Sequence, residues 1–376
     1  MPPAGLEVPL QPADSFFSDR IGSHPVIFAS DNWAGAHPKI AAALAAHAAG
    51  HEPAYGNGSL DAAVGEKFAE IFEREVAVFF VGTGTAANSL SLVSANKPGG
   101  LSFCHRESHV MDDECGAPEY FMGGSRLFPV DGPLGRIDPE KLASSVDRFA
   151  VDNVHGGRPA AISITQATEV GTVYAPRQIR AISAIAKKHA IPLHMDGARF
   201  ANALASLGVS AADMTWRSGV DIVSFGGTKN GCWCAEAVVM FDLDRAKEFG
   251  FIRKRAAQLF SKSRFIAAQF DAYFSGGLWL ETAAHANAMA ARLGDAIRQS
   301  GKARLAWQPE VNEVFAIMPQ TTADALSGKG ARFYDWHVPA GFDAAFSNGE
   351  RLWRFVTSFA TTVDEVERFS DALARI

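Results

Sequence analysis

Short apolar runs that close on glycine or polar residues, each followed by a helical stretch, constrain this chain more than any other feature. VAVFFV (residues 76–81), the run ending in SFCH (102–105), the start of PAAISITQATEVGTVY (159–174), AIPLHMDGAR (190–199) and VDIVSF (220–225) carry β-branched and aromatic residues. They are too short for buried helices, and segments of helical period such as PRQIRAISAIAKKHA (176–190) lie between them. Strand, helix, strand at this rhythm predicts a parallel sheet with crossover helices. Ligands of such sheets bind at the carboxyl ends of the strands, so the residues that close each run are the candidates for chemistry.

Two runs close on residues that suit one cofactor. VDIVSFGGTKNG (220–231) breaks at Gly226 and Gly227 and places Lys229 on the loop beyond. A lysine there is as a rule a solvated loop residue, but lysine is also the nucleophile that forms Schiff bases with carbonyls and pyridoxal phosphate. The preceding run closes on Asp196, then Gly197 and Arg199. Asp196 reads equally as a turn or cap residue. Pyridoxal phosphate needs both groups: a lysine for its aldehyde, and a carboxylate that keeps the pyridine nitrogen protonated.

A phosphate site precedes them. VAVFFV runs directly into GTGTAANSLSLVSA (82–95), a glycine and threonine turn opening a helix. Gly82 and Gly84 let the backbone approach an anion, and the N–H groups of Thr85 and Ala86 with the hydroxyls of Thr83 and Thr85 are its expected donors. Gly82, Gly84 and Ala87 also fit a dinucleotide fingerprint. That fingerprint wants an acidic residue closing the next strand, and residues 102–105 supply none, so a single phosphate is preferred. Further candidates are His109, an imidazole able to move a hydroxyl proton, Glu169 at the end of its strand, and Tyr55 in the glycine-punctuated loop HEPAYGNGS (51–59). Arg354, flanked by apolar residues, needs an anionic partner such as a substrate carboxylate.

Composition sets the remaining bounds. With 376 residues and 48% hydrophobic content the chain can bury two cores. The expected division is an N-terminal arm (1–28), a large α/β domain with a mostly parallel sheet (29–270) and a smaller α+β domain (271–376). A net charge of -6 without a basic run argues against nucleic acid or an anionic membrane as partner. The four cysteines show neither CxxC nor zinc-type spacing and read as reduced thiols of a cytoplasmic protein. The first 20 residues lack the apolar core of a signal peptide, and no window is apolar enough to span a membrane.

Taken together, SDN (30–32), GTGTAAN (82–88), HVMDDECGAPE (109–119), TQATEVGTVY (165–174), HMDGAR (194–199), SFGGTKNG (224–231) and RFVTSF (354–359) resemble the low-specificity L-threonine aldolases. The resemblance implies the aspartate aminotransferase-like fold type I of pyridoxal phosphate enzymes. It also implies cleavage of β-hydroxy-α-amino acids to glycine and an aldehyde. Lys229 would then carry the cofactor, Asp196 would meet its pyridine nitrogen, His109 would stack on the ring, and Gly84 and Thr85 would bind the phosphate. Ser30, Arg199 and Arg354 would hold the amino-acid carboxylate. Arg264 would reach the phosphate of a neighbouring subunit in a homo-oligomer, dimer or tetramer, with shared sites. Some members of the family carry a histidine where this chain has Glu169, which leaves the proton acceptor open among His109, Glu169 and water. A β-eliminating lyase on the same fold and a dinucleotide-binding protein are the alternatives.

Overall fold

The computed structural model describes residues 25–150 and 154–376; the expected N-terminal arm lies, up to residue 24, outside the described residues. A seven-stranded sheet forms the centre, in the order Ala77–Val81, Glu236–Met240, Ile222–Gly226, Leu193–Gly197, Arg158–Thr165, Gly100–His105, Arg126–Val130. Strand Glu236–Met240 runs antiparallel to both of its neighbours, and the other pairs are parallel. Six carboxyl ends therefore share one edge of the sheet with the amino end of Glu236–Met240. The α/β class expected from the strand and helix rhythm is the class observed.

The central strands are buried on both faces, which is why they read as continuous apolar runs. On one face, helix Ser59–Phe72 inserts Phe68 against Phe225 and Phe270, with ring centroids 5.2 Å apart in each pair. Such edge-on pairs add about 0.5–1.5 kcal/mol each beyond burial. Helix Gly84–Ser94 crosses the other face, with Ala86, Ala87 and Leu90 packed on Ile222 and Val238. Ser59 begins its helix without capping it, since Gly58 holds the cap position.

A second unit follows helix Leu278–Ser300. Its antiparallel sheet has the order Tyr334–Trp336, Glu350–Val356, Glu313–Pro319, Arg304–Leu305 and packs on helix Val363–Ala374 through Phe355 and Phe369. Strand Val26–Ile27 pairs with Ala331–Arg332, and Phe28 enters the same core, so the first described residues belong to this unit. No helix among the described residues is long and apolar enough to cross a membrane.

Candidate active site

At the shared edge of strand ends lies a cavity of about 250 Å³, lined by residues 82–85, His109, Asp196 and Lys229, with Asn32, Asn88, Thr228 and Glu236 between them. Lys229 sits on the helical turn Thr228–Asn230 just beyond strand Ile222–Gly226. That turn is pinned from behind. Asn230 donates through Nδ2 to the Tyr273 hydroxyl (2.7 Å) and the Trp279 carbonyl (2.8 Å), and the Gly227 N–H donates to the Ala235 carbonyl (2.9 Å). A Cβ on Gly226 would lie 2.7 Å from the Ala198 carbonyl oxygen, so glycine is what lets the lysine strand close on the aspartate strand.

Asp196 is 2% exposed and performs two tasks. Oδ1 accepts from the Ala198 N–H (3.0 Å), the turn role foreseen for it, and Oδ2 accepts from Asn88 Nδ2 (2.8 Å). The same Asn88 nitrogen donates to Glu114 Oε1 (2.8 Å), which also meets His109 Nδ1 at 2.9 Å. The hydrogen bond to Glu114 raises the His109 pKa against the opposing effect of burial. With Nδ1 donating to Glu114, Nε2 is the basic nitrogen of the neutral ring.

The anion cradle takes shape at helix Gly84–Ser94. Thr83 caps it, its Oγ1 accepting from the Ala86 N–H at 3.1 Å. These two expected donors satisfy one another, and the first-turn N–H groups of Gly84 and Thr85 remain for an anion. Gly84 has open space where a Cβ would point. At Gly82 a Cβ would meet the Phe260 ring at 2.9 Å, so glycine there accommodates Phe260, and its N–H donates to Gln258 Oε1 (3.0 Å). Glu236, at the amino end of its strand, accepts from the Thr228 N–H at 3.3 Å, and burial pushes its carboxyl up to about 7.

A charged cluster adjoins the cavity. Arg199, buried, donates through Nε and Nη2 to both oxygens of Asp31 (2.8 and 3.2 Å) and lies 3.3 Å from Glu313. Burial would raise the Asp31 carboxyl, but Arg199 and Lys229 outweigh it and hold the pKa below the usual range. Arg354 stacks 3.9 Å over the Trp336 ring and approaches Glu313 at 4.0 Å. Glu169 is 9% exposed; burial favours its protonated form, yet Lys229, Arg199, His109 and Arg354 keep it ionised. Ser30 caps the short helix Asp31–Trp33, accepting from the Asn32 N–H at 3.1 Å, and thereby aims Asp31 at Arg199.

Of the residues picked out in the sequence, the cavity brings together Gly84, Thr85, His109, Asp196 and Lys229. Ser30, Arg199, Glu169 and Arg354 belong to the adjoining cluster. Tyr55 and Arg264 sit elsewhere, on a surface patch where the Tyr55 N–H donates to the Ser261 carbonyl (3.0 Å) and Arg264 Nη1 to the Gly50 carbonyl (3.1 Å). Sequence reasoning passed over Asn88, Glu114, Glu236 and Glu313. Glu114, five residues after His109 in the acidic stretch 112–114, carried a local signal; the partners of Asn88 and Glu313 lie in distant segments, and Glu236 meets Thr228 across a turn.

Residues 28–321 match the beta-eliminating lyase family. The chain is 39% identical over 347 residues to the low specificity L-threonine aldolase of Pseudomonas aeruginosa, covering 92% of this chain and 96% of that protein. It is 42% identical over 309 residues to the low specificity L-threonine aldolase of a Pseudomonas species, covering 82% and 88%. Among solved structures, the threonine aldolase of Leishmania major superimposes with a TM-score of 0.86 at 29% identity, over 93% of this chain and 99% of that one. With the fold, the lysine and aspartate strands and the helix-capped cradle in place, the chain belongs to the low-specificity L-threonine aldolases, within the beta-eliminating lyases.

Proposed function

We propose that this protein is a carbon–carbon lyase that uses pyridoxal phosphate to cleave L-threonine, L-allo-threonine and related L-β-hydroxy-α-amino acids to glycine and an aldehyde. The observation that carries the reading is one cavity holding a lysine, a buried carboxylate and an open helix N-terminus. This donor set fits the cofactor group by group: an amine for its aldehyde, an anion for its ring nitrogen and N–H groups for its phosphate.

When bound, pyridoxal phosphate supplies an electron sink for the charge left at Cα as the Cα–Cβ bond breaks. Asp196 would meet the ring nitrogen, and the Asn88 amide holds that carboxylate in place. Lys229 Nζ is the amine that would hold the cofactor aldehyde, and it is the group placed to carry a proton at Cα. Arg199 and Arg354 orient the substrate carboxylate, which fixes the Cα–Cβ bond as the one to break. His109 Nε2 is the base matched to the β-hydroxyl proton; Glu169, held ionised, is the second group able to take it.

Replacing Lys229 with alanine is expected to abolish both the visible absorbance of lysine-bound cofactor and the release of acetaldehyde from L-threonine, followed with alcohol dehydrogenase. Retained absorbance and turnover would overturn the assignment. A 2-oxo acid formed in place of glycine would redirect it to β-elimination. The protein is further proposed to be a homo-oligomer whose sites borrow Arg264 across a subunit boundary.

A further inference from the structure

Glu313 stands between the two arginines, and the established pairings give it no task. It opens strand Glu313–Pro319 of the second unit and is fully buried. Oε2 lies 3.3 Å from Arg199 Nη1 and Oε1 4.0 Å from Arg354 Nη1. Charge-assisted hydrogen bonds close to about 2.7–2.9 Å, so Glu313 is held by charge without being locked by geometry. Neither of its oxygens has a hydrogen-bond partner. The loop across from it is shaped to admit it: Gly171 has φ +70°, and a Cβ there would lie 2.9 Å from Glu313 Cβ.

We propose that Glu313 is a placeholder in the amino-acid carboxylate subsite: its carboxylate competes with that of the substrate for Arg199 and Arg354, and it takes up a proton when the amino acid binds. The inference rests on the proposed function only in taking an α-amino acid as the ligand. Four charged groups face Glu313: Arg199 from the start of its helix, Arg354 from the neighbouring strand, Glu169 from the loop after the fifth sheet strand in spatial order, and Asp31 from the helical turn. A further carboxylate brought to this buried set adds an uncompensated negative charge, and one of the resident acids must become neutral. Asp31 is the wrong one, being fork-bonded to Arg199 and also accepting from Asn312 Nδ2 at 3.1 Å. Glu169 is held ionised chiefly by Lys229 and Arg199, with Arg354 adding to them. Glu313 has the looser contacts, and burial, aided by Glu169 and Asp31, pushes its carboxyl up to about 7 against both arginines.

The sign of the coupling follows. Above the pKa of Glu313 the amino acid binds only with proton uptake, so its affinity falls as pH rises, approaching about tenfold per pH unit. The test is glycine binding to the holoenzyme by calorimetry in buffers of differing ionisation enthalpy, beside KM and kcat for L-threonine between about pH 6 and 9. The wild type is expected to take up a large fraction of a proton that Glu313→Gln does not, with the pH dependence carried by KM and not by kcat. Glu313→Asp, which keeps a titrating group, is expected to restore it. Equal proton uptake in wild type and Glu313→Gln overturns the proposal. Should the glutamine variant fail to fold, a wild-type KM that does not rise above neutral pH overturns it as well. Holoenzyme that neither binds glycine nor cleaves threonine at any pH refutes instead the proposed function.

Discussion

One amide holds two acids apart at the centre of this site. Asn88 gives one hydrogen to Asp196 and the other to Glu114, so both carboxylates have a donor although they are buried close together. Glu114 passes the effect to His109, whose pKa it raises. A base must be neutral, so if His109 takes the β-hydroxyl proton, kcat/KM for L-threonine falls as pH drops through that raised pKa. Glu114→Gln removes the raising contact and leaves burial, which lowers the pKa; the acid limb of the profile is expected to move to lower pH. A limb that stays in place would assign the proton to Glu169 or to water. Lys229, Asp196 and His109 were legible in the sequence because each follows a strand and carries a distinctive functional group. Asn88 was not: its partners lie 26 and 108 positions away, and an asparagine inside a helix carries no mark of what it faces.

At the scale of elements, strand ends position the chemistry, and glycines decide how closely those ends approach. The sequence rhythm located the strands but not always their ends: residues 220–225 were expected where Ile222–Gly226 is observed, and the run 190–199 contains the shorter strand Leu193–Gly197. Less legible is the stretch after Ser108, which forms two short helices, His109–Asp112 and Ala117–Met122. They part at Cys115 and Gly116, with φ of 52° and 71°, just where Glu114 returns to His109. No periodicity announces such a break, because its cause is a side-chain pairing within the turn. Gly226→Ala tests the strand contact. Its Cβ would press on the Ala198 carbonyl, backbone against backbone, and overpacking of this kind costs about 1–3 kcal/mol. A matching drop in the urea midpoint is expected, together with weaker cofactor binding, since the clash separates Lys229 from Asp196; an unchanged midpoint would mean that the two strands are not in close contact.

On the scale of the whole molecule, the cavity is short of positive charge. Among the described residues lining it, Lys229 is the only lysine or arginine, and that amine is spoken for by the cofactor aldehyde. A phosphate at Gly84 and Thr85 would then rest on a helix terminus alone, worth about 0.3–1 kcal/mol. Tyr55 and the half-buried Arg264 meanwhile sit apart from the cavity, Tyr55 on a loop and Arg264 at the start of helix Arg264–Phe274, the two segments tied by the Tyr55 to Ser261 bond and by the Gly56 N–H donating to Ser263 Oγ (2.8 Å). An apolar cleft of about 340 Å³ lies beside exposed Tyr120 and Phe121. If Arg264 serves the neighbour's phosphate, each site takes Lys229 from one chain and Arg264 from the other. Lys229→Ala and Arg264→Ala would then be inactive or impaired separately yet complement when mixed and reassembled. A hybrid dimer carries one site with both defects and one with neither, so roughly a quarter of all sites regain full function in a random mixture. Activity that merely averages that of the two variants would show that each chain builds its site alone, and would leave the phosphate to the helix terminus.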